Sequence, residues 1–154
     1  MEQDVRSKIV VGVDGSPASC CALQWAVEHA RLTGASLKVI ACWEFPITYG
    51  WEVPARPLGV RLANRAKRTL EAAVASVLGD DPDVEIELAV VDGHPAHVLL
   101  DAARDASLLV VGSRGHGAFT GMLLGSVSRR CVHHAPCPVI VVRDRGHRTK
   151  QTTS

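Results

Sequence analysis

Leu108-Leu109-Val110-Val111-Gly112-Ser113-Arg114-Gly115-His116-Gly117, followed after a short gap by Gly125-Ser126-Val127-Ser128, is the stretch that decides how this chain folds. Residues 108–111 form an uninterrupted apolar run, which reads as a buried strand; Gly112 ends it, and Ser126 stands where a helix should begin. Strand, loop and helix follow one another. Glycines let a backbone approach an anion closely with its amides turned inward. The first amides of a helix lack internal partners and carry the positive end of its dipole. Ser126 and Ser128 add hydroxyl donors, so the segment has the make-up of a phosphate cradle. It is not a Walker loop, because no Gly-x-x-x-x-Gly-Lys occurs, and Gly115-His116-Gly117 runs on into Ala118-Phe119-Thr120 without completing Gly-x-Gly-x-x-Gly. The same glycines also suit a flexible connection that holds no ligand.

Working outward, Lys8-Ile9-Val10-Val11-Gly12-Val13 reads as another buried strand, feeding a helix start at Asp14-Gly15-Ser16-Pro17. That helix runs from about Ala18 to Leu32, with Leu23, Ala26, Val27 and Ala30 at helical spacing, and Gly34 stops it before a second strand over 36–42. Arg56 to Leu78 holds a second helix, with Leu62, Ala66, Leu70 and Val74 on one face. The third strand, 84–90, alternates apolar with charged residues over its first half, as a half-exposed edge strand does. A third helix from Pro95 to about Asp105, the strand at 108–111, a fourth helix from Ser126 to about His134 and an apolar strand at 138–142 complete a βαβαβαβαβ order. Such alternation implies an α/β, doubly wound, five-stranded parallel sheet with right-handed crossovers and helices on both faces. Exposed alternation in strand three and continuous apolarity in strands one and four favour the order 3-2-1-4-5. Ligands of such sheets bind outside the strand C-termini at the switch point, here between strands one and four, where Asp14 and Gly112 lie.

At 154 residues the chain is most simply one domain, with a core over about 7–143 and a solvated tail at 144–154. A net charge of +1 gives no field for gripping nucleic acid. No apolar run approaches the roughly 18 residues of a membrane span, and residues 1–8 lack a signal core. The expected setting is cytoplasmic. Five cysteines, an odd number with Cys20 and Cys21 adjacent, point to reduced thiols. Cys131 and His134 would share a helix face, but Pro136 should break the helix and turn Cys137 away, so no metal site is expected.

Asp14 can accept hydrogen bonds from an adenine amine or a ribose hydroxyl, and can equally cap the first helix. Arg114 and His116 lie inside the glycine loop, where they either reach phosphate oxygens or point to solvent. Ser16, Ser113, Ser126 and Ser128 show no His/Asp pairing of the kind a hydrolase triad needs. His94 and His97 open the third helix, where helix-end hydrogen bonding is their expected role. Strand five, lacking a charge or bulge along 139–142, is an edge that needs covering, by a second copy of the chain or by the tail. The long segment 43–59 holds most of the aromatics and serves as a lid, a partner surface or simple packing.

The spacing Gly112-x2-Gly115-x9-Gly125-Ser126, with its flanks, resembles the ATP-binding signature of the universal stress protein family. Lys8 to Ser16 and Ala135 to Arg143 are similar to the family as well, although Ala106-Ser107 stands where many members carry Ala-Asp. The resemblance implies the same sheet order, of the adenine nucleotide α hydrolase-like kind, and a homodimer made by the last strands, here 138–143. It implies that Asp14 lies at the adenine end, with Gly12 and Val13 lining the nucleoside and Cys42 offering backbone contacts. Val111 and Gly112 would form the ribose wall, Gly115 and Gly125 the phosphate turn, and Ser126, Val127 and Ser128 the donors at the helix start. The function expected is an ATP-binding, nucleotide-responsive stress module, with Mg2+ accompanying the triphosphate and slow turnover at most. Two alternatives remain: a nucleotide-hydrolysing enzyme of the related type, or a dimeric scaffold that holds no nucleotide.

Overall fold

The computed structural model describes residues 7–45, 55–79, 83–115 and 123–144. β1 (Lys8–Gly12) leads into α1 (Pro17–Thr33), β2 (Ser36–Trp43), α2 (Ala55–Leu78) and β3 (Ile86–Asp92). α3 (Pro95–Ala102), prolonged by a 3-10 turn over Ala103–Asp105, precedes β4 (Leu108–Gly112), α4 (Ser126–His134) and β5 (Val139–Val142). Every pairing is parallel and the order is β3-β2-β1-β4-β5, as the apolar runs imply.

β4, and β1 beyond Lys8, are uninterruptedly apolar because helices cover both faces of the sheet. Ile9, Val11 and Val110 face one cluster, which includes Leu23 and Val27 of α1 and Leu70 of α2. Val10, Leu109 and Val111 face the other, closed by Leu99 of α3 and Cys131 of α4. Truncating one of these fully buried side chains to alanine costs about 2–5 kcal/mol. β3 has neighbours on one side only, and its Glu87 is exposed, 3.9 Å from both Lys8 and Lys38. The strand begins at Ile86, two residues later than its alternation suggests. Val84 is buried in the core, and Asp83 accepts from Arg31 Nε at 2.8 Å, which fixes the approach to the strand. That hydrogen bond also holds the Asp83 carboxyl below its ordinary range.

The start of α1 differs from the expectation that Asp14 caps it. Ser16 is the cap, its Oγ accepting from Ser19 N at 3.3 Å, with Pro17 next in the first turn. Asp14 acts one step back: Oδ1 accepts from Ser16 N at 2.9 Å and from Ser16 Oγ at 2.5 Å. The carboxylate thus fixes the rotamer of the capping hydroxyl. Gly34, at φ 74°, closes α1 in the left-handed region with its N–H on Ala30 O.

Candidate nucleotide-binding cleft

β1 and β4 are neighbours, yet β1 hands the chain to α1 on one face while β4 hands it to α4 on the other. Their C-terminal ends therefore part, and a cleft of about 330 Å³ opens there. Gly12 at the end of β1, Val13 directly after it, and Val111 and Gly112 from β4 form its floor. Ile40 and Cys42 of β2, with Pro95 and Leu99 of α3, make an apolar side. The opposite side is polar backbone: Arg114 and Gly115 of the loop, then Gly125, Ser126, Val127 and Ser128 at the start of α4.

The two sides offer different chemistry. Burial, with Glu44 adding a smaller push, raises the Cys42 thiol to about 11, so it stands neutral beside the apolar wall. At the other side α4 begins on Gly125, at φ −69° and ψ 168°, with no side-chain cap. Its leading amides are left to whatever enters the cleft. Gly125 N donates to Ser113 O at 2.7 Å, which folds the loop back onto β4 and sets the direction of those amides.

The three glycines of the motif are small for different reasons. A Cβ on Gly112 would lie 2.8 Å from Ala18 C and 2.9 Å from Ser19 N, both backbone atoms of α1 that cannot give way. A Cβ on Gly115 would lie 2.5 Å from Asp14 Oδ2, so the loop passes directly over that carboxylate. Gly125 is different: its nearest neighbours would be Arg114 Cα at 3.5 Å and Gly115 N at 3.6 Å, ordinary contact distances. Backbone packing accounts for Gly112, a side-chain carboxylate faces Gly115, and packing leaves Gly125 to be explained.

The site residues expected from sequence, Gly12, Val13, Asp14, Cys42, Val111, Gly112, Arg114, Gly115, Gly125, Ser126, Val127 and Ser128, all line this cleft. His116 lies outside the described residues. Ser128 is placed differently from a free donor. Its Oγ, on a residue 3% exposed, donates to Gly112 O at 2.5 Å, so the hydroxyl ties α4 to the end of β4. Ser16, Ser19, Ile40, Pro95 and Leu99 also line the cleft, and the sequence reading had not assigned them to it. His94 caps α3 through Nδ1, which accepts from Ala96 N at 3.2 Å, and this seats Pro95 at the cleft rim.

The profile of the Universal stress protein family matches residues 6–143. The chain belongs to the universal stress protein family. A universal stress protein of Mycolicibacterium smegmatis is 39% identical over 142 residues, an alignment covering 92% of this chain and 47% of the relative. The chain thus spans about half the length of the curated relatives it matches. The solved universal stress protein UspA from Lactobacillus plantarum superposes with a TM-score of 0.74 at 27% identity, covering 89% of this chain and 97% of that one. The universal stress protein from Archaeoglobus fulgidus, solved in complex with dAMP, gives 0.63 at 26% identity, covering 90% and 98%. Among the described residues no helix of this family member is long and apolar enough to cross a membrane.

Proposed function

We infer that this family member binds ATP in the cleft between β1 and β4 and uses its occupancy as a regulatory signal in a stress response. The observation that carries the reading is one cavity with an apolar, charge-free side for a base and a facing side of uncapped helix amides for phosphate. The dAMP complex of the archaeal relative supports the adenine nucleotide class. Asp14 sits where a ribose hydroxyl or base amine can donate to it, and Arg114 is the one cation among the described lining residues.

Asp14 is also the one carboxylate among them, and its Oδ1 is already engaged by Ser16. A lone, committed carboxylate suits a Mg2+ ion that arrives on the phosphates and keeps its waters, not a resident metal. Ser128 donates its hydroxyl proton to Gly112 O, a carbonyl that is no base, and the Ser16–Asp14 pair is committed to the start of α1, so we expect turnover to be slow at most. β5 pairs with β4 alone among the described strands, and its free edge is where we place a homodimer. A cytoplasmic setting is supported by five free cysteines.

Mass spectrometry of nucleotide carried through native purification, followed by calorimetric titration of the emptied protein, tests the reading. ATP should be recovered and should bind more tightly than AMP or cyclic AMP. Protein that carries no nucleotide and takes up none of the three would end it.

A further inference from the structure

α2 carries Arg56, Arg61, Arg65, Lys67 and Arg68 in its first and middle turns and a single acid, Glu71. Glu71 is taken by Lys67, 4.0 Å away. Leu62, Ala66, Leu70 and Ala73 turn inward, half-buried or buried, while Arg61, Arg65 and Arg68 are exposed. At i, i+4 and i+7 these three arginines form one solvent-facing line about 10 Å long. Among the described residues no ion pair reaches any of them.

This arrangement works against the helix that bears it. Like charges three and four residues apart repel. Cations also belong near a helix C-terminus, yet here they stand between Arg56 and Arg68, the first turn has no acid and the last turn has no base. Of the chain's 17 lysines and arginines five lie on this one helix, and among the described residues only Lys67 has an acidic partner there.

We propose that the Arg61–Arg65–Arg68 line is a docking surface for an acidic protein segment, one presenting carboxylates at helical or extended spacing to three guanidinium forks. Asn64, Ala72 and Ala75 lie beside the line and keep it flat and open. Among the described residues the line carries no aromatic side chain on which a nucleic-acid base could stack, and its one exposed apolar neighbour larger than alanine, Val60, is too small to anchor in a bilayer, which favours carboxylates over either alternative. The site lies on the α1/α2 side of the sheet and does not depend on the nucleotide reading.

The test titrates the full chain with a fluorescent oligoglutamate peptide at low ionic strength, beside a single-stranded oligonucleotide and phosphatidylserine vesicles. Arg61→Gln/Arg65→Gln/Arg68→Gln should weaken peptide binding about tenfold. Arg104→Gln/Arg129→Gln/Arg130→Gln, an equal charge loss elsewhere, should leave it unchanged. In the unaltered protein the side-chain Nε resonances of the three α2 arginines should shift on titration, a readout that needs no variant to fold. No binding, an equal loss in both triple variants or unshifted arginine resonances would overturn the proposal. So would tighter binding of the oligonucleotide or the vesicles through the same arginines.

Discussion

Gly125→Ala separates what the glycine motif does for the protein from what it does for a ligand. The new Cβ would meet nothing closer than 3.5 Å and the residue sits at φ −69°, a region any L-residue adopts. The folded state should accept the methyl, and the loss of glycine's freedom in the unfolded chain should stabilise the protein by about 0.4–1 kcal/mol. Yet the methyl lies 3.6 Å from Gly115 N, in space a phosphate oxygen must cross to reach that amide at about 2.9 Å. Losing one hydrogen bond to a charged group costs about 1.5–3 kcal/mol, so ATP affinity should fall roughly 10- to 150-fold. Gly112→Ala is the opposite case, because its Cβ drives into the backbone of α1 at 2.8 Å and should cost about 1–3 kcal/mol of stability. Urea unfolding and calorimetric titration on both variants make the comparison. A Gly125→Ala protein that is stable and binds ATP like the parent would refute the placement of phosphate over the loop amides.

Other outcomes follow from the same geometry. Ser128→Ala removes a buried hydroxyl from Gly112 O and should cost about 1 kcal/mol of stability while changing nucleotide affinity far less than Gly125→Ala does, as denaturant melts and titrations would show. Asp14→Ala releases the capping Ser16 and should lower stability by about 1–2 kcal/mol, measured by urea midpoint. ATP at a hundredfold excess over Kd should contribute about 2.7 kcal/mol, which raises Tm by about 5–10 °C for a chain of this size in a thermal melt. The Cys42 and Cys131 thiols, raised by burial from 9.0 to about 11, favour the folded state below pH 9. Above it the unfolded chain ionises first, so their contribution is lost between about pH 9 and 11, and Cys42→Ala/Cys131→Ala should flatten that alkaline decline in unfolding free energy.

Much of this was legible in the sequence because burial on both sheet faces leaves a strong mark. Val10 and Val11 point to opposite helix layers, so β1 has no polar position after Lys8, and β4 has none at all. The contrast with the exposed alternation of β3, where Glu87 lies, favoured the order that the sheet has. Periodicity says less about what crosses over the strand ends. Pro95 and Leu99 close the apolar side of the cleft, but along the chain they read only as the opening turn and inner face of α3. Their place depends on how α3 lies against β1, where a Cβ on Gly12 would meet Leu99 Cδ1 at 2.8 Å.

Side-chain roles were the least legible part, since residue type fixes what a group can donate and not where it donates. Ser128 and Asp14 both stand at motif positions suited to a ligand, and both have internal partners in the structure. On the proposed reading this leaves the recognition of anions to amides and not to hydroxyls. Amides at an uncapped helix start need no rotamer to be ordered on binding, and the groups that hold them in place are these same committed side chains. Ser128 fixes α4 to β4, Asp14 fixes the start of α1 beneath Gly115, and Gly125 N fixes the loop to Ser113. The cradle is therefore pre-formed. On the proposed reading a nucleotide would enter a standing cleft, and the response to it would be sought along the β5 edge, which pairs with β4 alone among the described strands, and not in a rearrangement of the sheet.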